Sequence, residues 1–414
     1  MCRRLLFVFL VVGWGLPGWA EDWPGWRGPR GDGHSADSGF PQQWSATENV
    51  RWKVPLPGPG NSTPIVSGDS VFITCASNAG KLRNLLCLDR RTGMRQWQRD
   101  VEYLEDEPTH PTNPYCSASP VTDGERVVVW HGSAGVHAYG MDGTPLWTKD
   151  LGKFQHVWGN GSSPVLYRDL VILNAGPGLQ AFVVALDKRT GEQVWRRDFP
   201  EAVSQKLDEF RGSWSTPVVA SYGGGDLLLL SLPLKLQALD PLTGSDLWWC
   251  GGLGKLTYAS PLPGEDAIVA MSGYHGPAFA VRPGGQGEVT RSHCLWVHDE
   301  SPPQRVGSGI VVDGFVYVLN EPGIAWCVEL ATGDVWWKQR LGVGPSWSSF
   351  CYADGLLYVN NMEGTTFVLK PDPSECLVVA KNELREPMRA SLAFSQGQIF
   401  ARGYEHLYCL ERGK

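Results

Sequence analysis

The chain is missing three things. Beyond its first twenty residues, no apolar run approaches the roughly eighteen residues a membrane-spanning helix needs. Its cysteines never form a CxxC pair, which excludes the common zinc-knuckle and c-type haem patterns. Basic charge is in deficit: 36 Lys and Arg against 43 Asp and Glu leave a formal net charge of -7, so nothing advertises nucleic acid or anionic lipid as a partner. Charged residues make up only 19% of the 414 positions and hydrophobic residues 42%, which suits a large folded core and not a disordered chain. What abounds instead is Gly 50, Pro 30 and Trp 19, a composition of many short strands joined by turns.

Residues 1–20 read as a secretory signal peptide. Arg3-Arg4 supplies the positive start, Leu5 to Val12 the apolar stretch, and Gly18-Trp19-Ala20 the small-residue cleavage pattern. Losing Arg3 and Arg4 would take the formal charge from -7 to -9. Cys75, Cys87, Cys116, Cys250, Cys294, Cys327, Cys351, Cys376 and Cys409 remain as scattered singles, expected to be buried thiols in strands, although export would permit a disulfide.

The rest is a repeat. Ala185-Leu186-Asp187-Lys188-Arg189-Thr190-Gly191 leads to Trp195, and Ala238-Leu239-Asp240-Pro241-Leu242-Thr243-Gly244 leads to Trp248 at the same spacing. Further copies end at Trp97, Trp147, Trp296 and Trp337, the one before Trp296 carrying an insertion at Arg282-Pro283-Gly284-Gly285. Upstream of each stands a second signature of the type Ser62-Thr63-Pro64, Ser162-Ser163-Pro164 and Ser215-Thr216-Pro217, with weaker versions at Ser308, Ser348-Ser349 and Ser391. Each unit reads as four strands: a Ser-Pro strand, a turn such as Asp123-Gly124 and an apolar strand, the Ala-Leu-Asp strand, and after the Thr-Gly turn a strand carrying Trp. Eight units at a period of about 40–55 residues predict an all-β, eight-bladed β-propeller of four-stranded blades. The final unit runs out after its third strand, so Val50-Arg51-Trp52-Lys53-Val54 is expected to close the ring as its fourth. The domain reading is therefore residues 21–49 as an extended segment packing across the outside of the ring, and residues 50–414 as one propeller. Trp52, Trp97, Trp147, Trp195, Trp248, Trp296 and Trp337 are expected to pack between neighbouring blades. One blade breaks the rule with Val378. Asp89, Asp187 and Asp240 recur before turns, where a carboxylate accepts backbone N–H groups, so repetition favours scaffold over catalysis.

The Ala-x-Asp-x-x-Thr-Gly-x-x-x-Trp repeat resembles the tryptophan-docking motif of pyrroloquinoline quinone (PQQ) type propellers, a superfamily joining quinoprotein alcohol dehydrogenases to the BamB-type outer-membrane assembly factor. Trp23-Pro24-Gly25-Trp26-Arg27-Gly28-Pro29-Arg30-Gly31-Asp32-Gly33 is similar to the opening of secreted PQQ-binding-like propellers abundant in planctomycete-type bacteria. The resemblance implies the fold over nearly all of the mature chain. For activity it implies two outcomes: a non-catalytic, exported binding or scaffold module of the periplasm or extracellular space, or a PQQ-dependent dehydrogenase oxidising an alcohol or sugar. The dehydrogenases hold a calcium or lanthanide ion beside the quinone, use an Asp base, and many stack a disulfide of adjacent cysteines on the cofactor. This sequence has no Cys-Cys dipeptide, no metal cluster and no haem motif. The expectation is the module, with no catalytic residue, no metal and no cofactor, PQQ with calcium belonging only to the alternative.

Binding is expected at the mouth of the ring, on the connections entering each inner strand. Arg211, Arg305 and Arg389 occupy comparable places before three blades and are expected to converge on a common axis as a positive focus, with Trp158, Trp214 and Trp347 as flat surfaces and Asn160, His275 and Glu321 beside them. Such a mouth suits a small anionic ligand or other envelope proteins, in a chain expected to be monomeric.

Overall fold

A computed structural model describes residues 21–206, 209–300 and 303–413; the signal-peptide expectation falls outside them. Eight sheets are entered in chain order by Ile65–Ser67, Val121–Thr122, Val165–Tyr167, Val218–Tyr222, Leu262–Pro263, Ile310–Val312, Cys351–Ala353 and Ala393–Ser395, and these define blades one to eight of a β-propeller. Each blade is an antiparallel meander whose turns carry the predicted residues. In blade three, the amides of Arg189 and Thr190 donate to Asp187 Oδ1 (2.8 and 3.0 Å), and Gly191 takes φ 74°. A Cβ at Gly191 would lie 2.6 Å from the ring of Trp147 in the preceding blade, so the position needs both the left-handed backbone and the missing side chain.

The ring closes through the N-terminal strand. Val50–Pro55 pairs antiparallel with His406–Glu411, Trp52 opposite Cys409 and Pro55 opposite His406, giving blade eight its fourth strand. Blade four departs from the four-strand plan. The insertion after Val281 crosses to it, pairs Gly287–Glu288 in parallel with Trp248–Trp249 as a fifth strand, and forms the short helix Thr290–His293.

The core sits in the seams between blades, where the second and third strands of neighbouring sheets face each other. Val128, Trp130 and Ala138 of blade two, for example, pack with Leu173, Phe182 and Val184 of blade three. The fourth-strand indoles reach across the same seams. Trp52 donates to Arg90 O (2.8 Å), Trp97 to Met141 O (2.9 Å), Trp147 to Lys188 O (3.0 Å), Trp195 to Pro241 O (3.2 Å), Trp296 to Leu330 O (2.8 Å) and Trp337 to Asp372 O (3.0 Å). Each acceptor lies in the turn of the next blade. Trp248 is the exception: its indole N–H is buried without a partner, because the insertion replaces the turn of blade five that would accept it. In blade seven the docking position falls on Ala380, opposite Val368, and not on Val378 as the spacing predicts, because Val378 pairs Leu369 before the bulge as Gln193 pairs Leu186. Ala380 packs on the cluster in which Trp44 stacks on Tyr358 at an interplanar angle of 11° and Phe40 meets Phe394 edge-on.

A second belt holds the inner strands together. The hydroxyls of the Ser-Thr-Pro signatures accept backbone amides from the preceding blade: Ser119 from Thr63 (2.8 Å), Ser163 from Ser119 (3.0 Å), Thr216 from Ser163 (3.0 Å), Ser308 from Ser260 (2.9 Å), Ser349 from Ser308 (2.9 Å) and Ser391 from Ser349 (2.9 Å). Inner strands diverge towards the axis and cannot pair with one another, so a short side-chain acceptor satisfies each orphan amide.

Residues 23–35 do not lie across the outside of the ring, whereas Gln42 and Trp44 bond Asn382 on the fourth strand of blade seven. Trp23 pairs with Val66 of blade one, Pro24 accepts from Thr122 of blade two, and Gly33 and Ser35 bond Tyr352 of blade seven. Between them the chain turns under the axis and places the buried Arg27 against the inner strands, donating to Gly309 O (2.8 Å) and Phe350 O (3.4 Å). The outer strands are the polar face, as in Arg95–Glu102, none of whose residues is buried.

Candidate functional site

At the opposite end the channel opens into a cavity of about 600 Å³. Its walls are the connections entering the inner strands: Trp158 before blade three, Trp214 before blade four, Tyr258 before blade five, Trp347 before blade seven and Arg389 before blade eight. Its floor holds belt hydroxyls, Ser163, Thr216, Ser349 and Ser391, together with Trp26 of the N-terminal segment. Phe210 and Tyr274, 60% and 57% exposed, stand at the rim.

The rings are held in place by their neighbours. Trp214 donates to Gly159 O (2.8 Å) and meets Tyr258 edge-on at 5.1 Å, and Trp158 stacks on His110 at 4.3 Å. Asn113 ties two entering loops together by donating to the carbonyls of Trp158 (2.6 Å) and Asn160 (2.9 Å). Trp347 donates to the Glu321 carboxylate, whose pKa is raised by burial although that bond and the nearby His275 oppose the rise.

The three arginines do not converge. Arg211 is turned to its own loop, paired with Glu209 (3.1 Å) and donating to Glu201 O (2.7 Å). Arg305 is 2% exposed and donates to Gly276 O, its pKa lowered to about 10 by burial. Only Arg389 lines the cavity. Both lost arginines sit on longer entering loops with nearby acceptors of their own, which spacing along the chain does not reveal. Trp158, Trp214 and Trp347 line the cavity as well, whereas Asn160, His275 and Glu321 do not. Asn160 instead donates to Glu107 (3.0 Å), a buried carboxylate held by Arg83 at 2.7 Å, and His275 packs its ring against Tyr274.

Trp26, Phe210, Tyr274 and the hydroxyl floor were not legible as site residues. The repeated serines could have been found, since one hydroxyl recurs at the same place in nearly every blade. Trp26 could not, because nothing local to it says that the segment passes beneath the axis.

Among the described residues the lining carries one charged side chain, Arg389, and no Asp, Glu, His or Cys. Among the described residues no group of three His, Cys, Asp or Glu could hold a metal ion. A quinone held beside a carboxylate-bound cation, as the dehydrogenase alternative needs, does not fit this donor set, and no carboxylate or imidazole lines the cavity among the described residues.

The sequence profile of the family described as outer membrane protein assembly factor BamB matches residues 42–115 and 83–339. The chain belongs to this PQQ-like propeller family. Among its relatives, the outer membrane protein assembly factor BamB of Yersinia pestis is 23% identical over 290 residues, covering 57% of this chain and 71% of that protein. The quinoprotein ethanol dehydrogenase of Pseudomonas putida is 26% identical over 229 residues, but these PQQ-like repeats span only 33% of its length and 52% of this chain. The solved BamB of Moraxella catarrhalis superposes with a TM-score of 0.62 at 14% identity, covering 87% of this chain and 97% of that one, a likeness of fold.

Proposed function

We propose that this PQQ-like propeller is a non-catalytic, exported binding or scaffold module of the cell envelope, and that the mouth cavity is where it binds. The observation that supports this reading is the lining: a wall of positioned aromatic rings over a hydroxyl floor, with, among the described residues, a single cation and no acid, base or metal-ligand set. Flat rings in a concave site of about 600 Å³ offer large contact area to a small molecule at little entropic cost. The similarity to assembly factors on one side and dehydrogenases on the other is compatible with either outcome, and the chemistry of the cavity favours the first. The fourth-strand tryptophans are read as docking residues that lock each blade to the next.

The test is titration of the purified chain with small aromatic compounds, followed by quenching of intrinsic tryptophan fluorescence, in the wild type and in Trp158→Ala and Trp347→Ala. Loss of about tenfold or more in affinity with little change in melting temperature supports the site, a cost of the size expected for removing one buried ring contact. Dye-linked oxidation of alcohols or aldoses after incubation with PQQ and calcium would overturn it.

A further inference from the structure

Among the described residues the cavity's single cation has no counter-charge. Arg389 lines the wall with its guanidinium carbon 4.6 Å from the Tyr404 ring centroid and 5.5 Å from that of Trp347. Its Nε and Nη1 are buried and have no hydrogen-bond partner among the described residues, and no carboxylate there forms an ion pair with it. Several other buried or half-buried arginines of this chain have a carboxylate or carbonyl partner, although Arg83, Arg305 and Arg402 each keep a buried Nε without one. Arg83 has Glu107 at 2.7 Å, Arg211 has Glu209 at 3.1 Å, Arg27 donates to backbone carbonyls, and Arg402 donates to Thr74 O at 2.8 Å. A desolvated guanidinium is costly unless something completes it. Among the described residues Arg389 is the one arginine that lines the open cavity, and its Nη2, which has no hydrogen-bond partner and is not one of its enclosed nitrogens, is the donor left for a ligand there.

Resting on the cavity reading above, we infer that Arg389 recognises a carboxylate and that the ligand class is small, flat organic acids: one apolar ring system bearing one carboxylate. A guanidinium packed against two rings holds its open Nη2 in a fixed plane, where a carboxylate oxygen can accept a charge-assisted hydrogen bond. The ring of such an acid has Trp158, Trp214 and Tyr258 to lie against, and the volume of about 600 Å³ is that of a small-molecule site. One unpaired positive charge matches a monoanion. A phosphate ester, carrying nearly two charges at neutral pH, would need a second cation that the lining does not contain.

Three probes of one shape separate these claims: 2-naphthoic acid, the neutral 2-naphthalenemethanol and 2-naphthyl phosphate, each titrated into the full mature chain by calorimetry or fluorescence quenching. The acid should bind about ten- to a hundredfold more tightly than the alcohol, the range expected for a charge-assisted hydrogen-bonded pair in a partly buried site. Arg389→Gln should remove that preference while leaving affinity for the alcohol and the melting temperature nearly unchanged, and Arg389→Lys should restore part of it, since charge returns without the fork. Equal binding of acid and alcohol to the wild type would overturn the role of Arg389 and leave the aromatic cavity standing. Preference for the phosphate would overturn the monoanion assignment. If neither acid nor alcohol binds, both the cavity reading and this inference fall.

Discussion

A single hydroxyl in each of six blades does what the repeat alone cannot. Inner strands splay apart around the axis, and the hydroxyl of Ser119, Ser163 or Ser349 carries a hydrogen bond across each gap, so the signature that looks like a strand start is also a clasp. The buried histidine of the same region behaves differently. His131 is 2% exposed with both ring nitrogens unpartnered, and burial, with smaller contributions from His137 and Arg83, holds its pKa well below 6.5. It is neutral when folded and protonates in the unfolded chain, so the unfolded state binds more protons as pH falls below about 6.5 and stability drops in that direction. His137, His156 and His298 are lowered too and add to the same slope, all three chiefly by burial. Melting temperature should therefore fall between pH 7 and 5, and His131→Leu should make the fall shallower by up to roughly 1 kcal/mol per pH unit. An unchanged slope in the variant would rule out His131 as a contributor. Below that window the turn carboxylates take over: Asp89, its pKa lowered by the Thr92 hydroxyl and amide, loses its contribution only as pH falls below about 3.8.

Among the elements, the N-terminal segment departs furthest from expectation. Its Trp23 and Phe40 are fully buried, and Arg27 spans from its own turn to blades six and seven, so the segment acts as a strap under the channel and supplies Trp26 to the cavity floor. Arg27 has only carbonyl partners and its pKa is lowered, chiefly by burial. Truncating it to Ala leaves those carbonyls without a donor in a dry site, a cost of about 2–4 kcal/mol. Arg27→Ala should lower the melting temperature and speed proteolysis between residues 21 and 39. Full protease resistance in the variant would show that the strap is held by its aromatic rings alone. The blade-five insertion is a second such element. It costs Trp248 its acceptor and supplies blade four with an extra strand in exchange.

The whole molecule depends on closure, because every seam is shared by two blades and the last seams exist only if the ends meet. Deleting residues 50–54 removes the fourth strand of blade eight, bares the edge at His406–Glu411 and takes Trp52 away from Arg90 of blade one. The expected outcome is aggregation or loss of a single cooperative melting transition. A truncated chain that melts like the wild type would show that the ring does not need this velcro. At the same scale the cup is asymmetric: one end is closed by the strap and the other is open and aromatic, on a body whose formal net charge is -7. Capture of an anion by such a body relies on the local field of Arg389 and should weaken as salt rises.

The blade number, the four-strand meander and the closing strand were legible because each follows from local rules repeated at a fixed period: alternating strands, an Asp-to-Thr-Gly turn, a Trp once per unit, and a last unit one strand short. Trp158, Trp214, Trp347 and Arg389 were legible as cavity residues for a related reason, since the connection entering an inner strand opens on the axis whatever its sequence. What periodicity does not encode is where an irregular loop turns its side chains. Arg211 and Arg389 hold equivalent places in the repeat, yet Glu209 two residues away captures the first and only rings flank the second. Nor does it encode contacts between segments far apart in the chain, such as Arg27 with Gly309, which is why the closed floor of the cup and the unpaired cation in its wall emerged only from the folded ring.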